Sequence, residues 1–426
     1  MIEKVWYILY NAVMLPALYA GIHFLGFFNS KIRRGIEGRR NLNSNLSASL
    51  QKLNRGRKLI WFHSSSMGEF EQAKPIIEEL RKSSNVNILV TFFSPSGYEN
   101  SKKYAFADIV TYIPFDSRAA ISSFSEIAKP SLVVLMRYDV WPNHINVLHD
   151  KGIPVLLVDA TMRTKNLRKN SFLRGFHKQL YSKMEKILTI SDLDTRNFGV
   201  FGIPGSKLKQ AGDTRFDRVY IKSRDAKTKN ILRPGITEGK KIFIAGSTWE
   251  EDEEILNPVI LKLLKYHKDL LVIIVPHEPT VNHIEKLEQE FPETVPTIRF
   301  SYLNNYNNER VIIVDSIGIL LTLYSHASIA FVGGSYKSNV HNVLEAAVYG
   351  IPVLYGPKIH SSAEASHLAE TGGGFIIENK TAMYKTLTRL LSNESLRLKA
   401  GKAAGEFVKT NTGATSVILS EIKKLI

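Results

Sequence analysis

Short apolar runs alternate along the chain with longer amphipathic stretches. In the first half the runs are residues 59–62, 86–93, 109–113, 132–136, 155–158 and 187–190. Helical patterns such as Phe70, Ala73, Ile76, Ile77 and Leu80 separate them. Around 217–241 the rhythm lapses into a charged segment containing Pro234 and Gly235, which reads as a linker. It restarts with runs at 241–245, 271–275, 311–314, 329–332 and 352–354. Continuous apolar runs of this length predict strands buried on both faces, as in a parallel sheet covered by helices. Two such α/β halves joined by a linker are expected to enclose a cleft between their strand ends. No internal repeat or low-complexity tract interrupts them.

The N-terminus departs from this rhythm. From Val5 to Ser30 there is no formally charged residue, and Lys31, Arg33, Arg34, Arg39 and Arg40 follow at once. The stretch is long enough to span a bilayer, with Trp6 and Tyr7 suited to the interface. A signal peptide is the competing reading, against which a weak positive start and the lack of a small-residue cleavage site before Lys31 speak. Asn11, Pro16 and His23 interrupt the stretch, so a segment lying in the interface is a further alternative. The five cations predict that the downstream domains stay on the cytoplasmic side, beside anionic headgroups. The expected domains are 1–30 as membrane anchor, 31–218, a linker at 219–240, and 241–426. Both halves lie beyond Arg40, so a protein lacking residues 1–30 is expected to fold.

The 426 residues exceed one ordinary core, consistent with two domains. The absence of cysteine excludes disulfides, thiolate metal sites and a cysteine nucleophile. A formal charge of +16 predicts an anionic partner.

Polar residues cluster after the strands. Residues 328–335, Ser-Ile-Ala-Phe-Val-Gly-Gly-Ser, read as a strand ending in two glycines. His341-Asn342-Val343-Leu344-Glu345 then reads as the opening of a helix. Backbone N–H groups there would face a phosphate, and Glu345 would accept hydrogen bonds from ribose; a helix cap on a packed glycine turn is the alternative. In the first half, His63-Ser-Ser-Ser-Met-Gly-Glu69 places a carboxylate at a helix start, as a general base or as a favourable dipole charge. Ser94-Pro-Ser-Gly97 reads as a turn whose hydroxyls could bind a sugar or a carboxylate. Met136-Arg137-Tyr138-Asp139-Val140-Trp141-Pro142-Asn143 sets an arginine and a carboxylate after a buried strand, where they must pair with each other or with a ligand. Ser247 reads as a helix cap or a site residue, and His277 as a turn or site residue. Asp192-Leu-Asp194 looks like a metal-binding pair but follows Ser191 at a helix start, so capping accounts for it better. No cluster has metal-ligand spacing, and neither a P-loop nor a nucleophile elbow is present.

In order and spacing these segments resemble the Kdo transferase family, the 3-deoxy-D-manno-octulosonic acid transferases of lipopolysaccharide assembly. The motifs above carry the resemblance, together with Gly212-Asp-Thr-Arg-Phe-Asp217, Ala245-Gly-Ser-Thr248 and Gly356-Pro357, and it covers nearly the whole chain. It implies an α/β GT-B fold of two Rossmann-like, doubly wound domains behind an N-terminal anchor helix. It implies CMP-Kdo as donor, the lipid A precursor (lipid IVA) as acceptor, and transfer without metal or cofactor. Glu69 would deprotonate the acceptor hydroxyl. Arg215, where the family usually has lysine, would offset developing negative charge, and Arg137 is the third catalytic candidate. CMP would be held by Pro276, His277, Gly318, Asn342 and Glu345, with Ile317, Ile319, Gly334, Ser335, Val343 and Leu344 around it. The other partners implied are anionic inner-membrane lipids on the cytoplasmic face, and no nucleic acid.

Three departures from the family pattern stand out. Arg137 and Asp139 replace two glutamates, His277 stands where an arginine is usual, and Ile317-Gly318-Ile319 replaces Met-Gly-Glu. Histidine is charged only part of the time near neutral pH, so the phosphate contact is altered. Two other functions stay open at the sequence level: another GT-B nucleotide-sugar transferase or epimerase, and a non-catalytic membrane adaptor, against which Glu69 speaks.

Overall fold

The computed structural model describes residues 2–426. Two compact units emerge: residues 1–218 with 412–426, and residues 219–411.

The first unit is built on a seven-stranded, all-parallel sheet. Its strands are β1 (Leu59–Ser64), β2 (Asn87–Phe92), β3 (Ile109–Tyr112), β4 (Leu132–Met136), β5 (Val155–Ala160), β6 (Lys186–Thr189) and β7 (Leu208–Gln210), in the order β3-β2-β1-β4-β5-β6-β7. Side chains alternate between two apolar layers. Ile60 and Phe62 pack with Phe70, Ile76 and Ile77, while Trp61 faces Phe124 and Ile145 on the other side. Burial on both faces is why these strands read as unbroken apolar runs.

The second unit repeats the plan with β8 (Lys241–Thr248), β9 (Leu270–Pro276), β10 (Thr297–Arg299), β11 (Val311–Ile313), β12 (Ile329–Val332), β13 (Val353–Tyr355) and β14 (Gly374–Ile376), in the order β10-β11-β9-β8-β12-β13-β14. Three strands escape the sequence pattern: β7, β10 and β14. All are edge strands of three residues with incomplete burial, so they carry no apolar run. In each sheet the order reverses beside the first strand, between β1 and β4 and between β8 and β12. Such switch points open a crevice at the carboxyl ends of the strands.

The chain termini differ from the sequence expectation. The helix Thr214–Lys227 runs into the stretch read as a linker. The last residues return to the first unit instead of closing the second. Asp217 accepts from the Gly413 and Thr415 backbone N–H groups at 2.6 and 2.7 Å, seating the helix Ala414–Lys423. Glu421 on that helix receives Lys186 and Lys209 at 2.5 and 2.9 Å.

The N-terminal segment is helical from Ile2 to Phe28, with one π-helical turn at Tyr10–Met14. Val5–Phe28 is long and apolar enough to cross a membrane. Its first half is not a free anchor. The Tyr7 hydroxyl donates to Asn143 Oδ1 at 2.6 Å, and the Tyr10 hydroxyl to Asp116 Oδ2 at 2.6 Å. Asn143 Nδ2 donates in turn to Asn11 Oδ1 at 2.8 Å. Asn11, which counts against an ideal span, thus helps to dock the helix on the folded unit. Val13, Met14, Leu18, Phe24, Leu25, Phe27 and Phe28 remain exposed.

Candidate active site

Both switch points gather polar side chains. At the end of β1 the chain turns through Ser64 and Ser65 into the helix Met67–Ser83, whose N-cap is Ser66 and whose third residue is Glu69. Glu69 Oε2 accepts from the Ser65 and Ser66 backbone N–H groups at 2.6 and 3.1 Å. The capping role is therefore real, and it fixes the carboxylate at the sheet edge.

Asp139 enters from the loop after β4. His63, fully buried on β1, meets Asp139 Oδ2 through Nε2 at 2.7 Å and Thr91 Oγ1 through Nδ1 at 2.9 Å. Burial raises the Glu69 carboxyl above its ordinary range and the Asp139 charge adds to this, while the two backbone bonds and His63 act in the opposite direction. Burial pushes Asp139 upward too, but the hydrogen bond and charge of His63 hold it below the usual carboxylate range. Two neighbouring carboxyls thus titrate in opposite directions, which separates a proton acceptor from a fixed charge.

One turn beyond Glu69, Gln72 is buried on the same helix. With its amide assigned from its surroundings, the Gln72 carbonyl accepts from Arg137 Nη1 at 2.9 Å and Arg215 Nε at 3.2 Å. Arg215 also grips Asp213 through Nε and Nη2 at 2.9 and 2.6 Å. Arg137 sits at φ 62° and Asp159, near the end of β5, at φ 51°, both in the left-handed region that non-glycine residues rarely occupy. Asp159 accepts from Thr214 Oγ1, and burial together with the Asp213 charge holds its carboxyl far above the ordinary value. Arg137 and Arg215 therefore meet at Gln72, one turn beyond Glu69 on the same helix. Strain of this kind collects at functional sites.

Other motif residues of this unit are structural. Ser94 caps the helix Pro95–Ser101 and Asn143 docks the N-terminal helix. Asp194 accepts from the Met162 N–H at 2.7 Å and Asp192 pairs with Arg196, so both carboxylates are used locally.

At the second switch point the helix that sequence reading opens on His341 is a single turn, Leu344–Ala347. It is too short to present a dipole to an anion. The glycine turn is also filled from within. Asp252, fully buried, accepts from the Trp249 and Gly334 backbone N–H groups at 2.9 and 2.7 Å, and from Tyr336 at 3.4 Å. A Cβ on Gly333 would lie 2.3 Å from the Ser247 carbonyl oxygen, so the turn tolerates no side chain there. Ser247 itself adopts φ 53° and is not the helix cap; Trp249 holds that position.

Of the nucleotide candidates, Pro276 ends β9, and His277 stacks on His341 with ring centroids 4.3 Å apart and planes 10° from parallel. Trp249 Nε1 donates to His341 Nε2 at 3.0 Å, and Trp249 lies 4.7 Å from His277. His341 is held down to about 4, first by burial and then by His277, so its ring is neutral near pH 7. Asn342 Nδ2 donates to Glu345 Oε1 at 3.2 Å. Ile317 is 81% exposed, Gly318 has φ 82°, and Ile319 begins the short helix Leu320–Tyr324. Three candidates are not free to bind through their side chains. Val343 and Leu344 are buried, and Ser335 Oγ, also buried, accepts from the Gly356 N–H at 2.6 Å.

Sequence reasoning gave no role to His63, Gln72, Asp159, Trp249, Asp252 or Lys337. Asp159 closes an otherwise apolar strand, and Gln72 lies three residues from Glu69; those were the available signals.

The whole fold is similar to that of solved nucleotide-sugar enzymes. A UDP-GlcNAc 2-epimerase from Neisseria meningitidis matches with a TM-score of 0.61 at 17% identity, over 86% of this chain and all 100% of that one. MurG from Acinetobacter baumannii matches with a TM-score of 0.54 at 15% identity, over 86% and 99%. These likenesses establish a GT-B fold without choosing the chemistry. Residues 39–218 match the family model for 3-deoxy-D-manno-octulosonic-acid transferase (kdotransferase). The 3-deoxy-D-manno-octulosonic acid transferase of Haemophilus influenzae is 27% identical over 380 residues, 85% of this chain and 86% of the relative. That of Aquifex aeolicus is 31% identical over 337 residues, 78% of this chain and 86% of the relative. With sequence likeness at this level across most of both chains, the protein belongs to the Kdo transferase family and is a glycosyltransferase.

Proposed function

We propose that the protein transfers Kdo from CMP-Kdo to a hydroxyl of the lipid A precursor, lipid IVA, at the cytoplasmic face of the inner membrane. The observation that carries this reading is the Glu69–Asp139–His63 arrangement: a carboxyl raised by burial beside one held ionised by histidine, on a sheet edge. Glu69 takes the hydroxyl proton as the acceptor oxygen bonds to the anomeric carbon of Kdo. The bond from that carbon to the CMP phosphate oxygen breaks, and CMP leaves with the electron pair. Arg215 and Arg137 supply positive charge near the base. In the second unit Pro276, His277, Gly318, Asn342 and Glu345 recognise the nucleotide, and no metal takes part in transfer.

The membrane assignment is supported by the exposed apolar face of the N-terminal helix and by Lys31, Arg33 and Arg34 just after it, which suit a bilayer carrying anionic headgroups. Incubating the purified protein with CMP-Kdo and tetra-acylated lipid A precursor, read by mass, tests the reading. A mass increase by one or more Kdo units is expected. No product with that pair, but product with a UDP-sugar, would overturn it.

A further inference from the structure

The donor assigned above carries a phosphate, and the devices that usually hold one are spent in the second unit. The Gly334 and Tyr336 backbone N–H groups point at Asp252, not outward. The helix after the glycine turn is one turn long. His341 accepts a hydrogen bond from Trp249, which keeps that ring neutral. His277 stands where the family usually has a permanent cation.

One cation does reach this cluster from the glycine loop itself. Lys337 Nζ lies 3.5 Å from the centroid of the Trp249 ring, a close cation–π contact. The loop backbone that carries it is fixed. Ser338 N–H donates to the Gly334 carbonyl at 2.9 Å, and Lys358 Nζ donates to the Tyr336 and Lys337 carbonyls at 2.7 and 3.0 Å. Among the described residues Lys337 makes no ion pair, and its acidic neighbour Glu250 is already paired with Lys286. An exposed ammonium held on an aromatic face, whose neighbouring carboxylate is already paired with another lysine, keeps its charge available to an arriving anion.

We infer that Lys337 is the phosphate-binding residue of the donor site, replacing in this chain the arginine missing at position 277. The Trp249 face aims the ammonium, and the stacked His277 and His341 rings form the neutral wall beside it. The inference rests on the proposed CMP-linked donor and adds the residue that reads its phosphate.

Calorimetric titration of the full-length protein in detergent with CMP, and separately with cytidine, tests it. Wild-type protein is expected to bind CMP more tightly than cytidine. Lys337→Gln should weaken CMP binding about 10- to 100-fold, the range for one charge-assisted contact, and leave cytidine binding unchanged. Lys337→Arg should restore most of the CMP affinity. Unchanged CMP affinity in Lys337→Gln overturns the inference. An equal loss for CMP and cytidine also overturns it, because the lysine then only shapes the loop. Failure of the wild-type protein to bind CMP at all removes the donor assignment and this inference together.

Discussion

His63 meets Asp139 at 2.7 Å, and through this contact a buried strand residue sets the charge beside the proposed base. Asp139 raises the Glu69 carboxyl, while His63 keeps Asp139 ionised so that it can do so. Asp139→Asn removes that charge. Glu69 must be deprotonated to accept a proton, so activity rises as pH passes upward through its pKa. The acid limb of kcat/KM is expected to move to lower pH in Asp139→Asn, because one of the two causes that raise Glu69 is gone while burial remains. A pH–rate profile with an unmoved acid limb would uncouple the two carboxylates.

Glu69→Gln keeps the shape and the acceptor oxygen for Ser65 and Ser66 but cannot take a proton. Turnover should fall by roughly 10²–10⁴, with CMP affinity little altered. Single-turnover rates and CMP titration on the same sample separate the two effects. Near-normal turnover would leave Glu69 as a helix cap only.

The parts legible in the sequence were those with local signatures. Apolar runs located the interior strands, and the polar residues that follow them offered Glu69, Arg137, His277 and Glu345 as candidates. The edge strand β7 was not legible, because its pairing with β6 comes from the tertiary fold and not from an apolar run. Nor was Asp252 at the glycine turn. A glycine pair after a strand looks the same whether its N–H groups face a phosphate or a carboxylate from a neighbouring helix, and here the carboxylate occupies them. Asn143 shows the same limit, since a motif residue near the base turns out to hold Tyr7 and Asn11.

The return of the C-terminal helix to the first unit rests partly on Glu421. Its hydrogen bond to Lys186, joined by Lys209 and Lys424, brings the carboxyl down to about 2. A carboxyl depressed in the folded state adds stability above its unfolded pKa and loses it as pH falls through the folded value. Glu421→Gln should therefore destabilise the protein by about 1–3 kcal/mol at pH 7, with the difference from wild type shrinking as pH falls from about 4.5 to about 2. Thermal melts of both proteins across that range check it. A difference that does not change with pH would assign the loss to packing instead of charge.

Removing residues 1–30 tests what the N-terminal helix is. A segment that only anchors the protein would leave the folded part untouched when deleted. Here deletion takes away the Tyr7, Tyr10 and Asn11 contacts to Asn143 and Asp116, and the packing of Trp6 and Tyr7 on the core. At about 1 kcal/mol for each of the three hydrogen bonds, these bonds alone should cost about 3 kcal/mol, with the lost packing added to it, and the loss should be visible as a lower Tm. Tyr10→Phe, which deletes only one hydroxyl, should reproduce about a third of the hydrogen-bond part, about 1 kcal/mol. Transfer should suffer beyond the stability effect. The acyl chains of the proposed lipid acceptor would remain in the bilayer, so losing the exposed apolar face should lower the concentration of enzyme at that substrate. The truncated protein is expected to be much slower on acceptor in vesicles and only modestly slower on acceptor dispersed in detergent. An unchanged Tm with a large vesicle defect would make the segment a pure anchor; a lowered Tm with equal losses in vesicles and detergent would make it part of the fold alone.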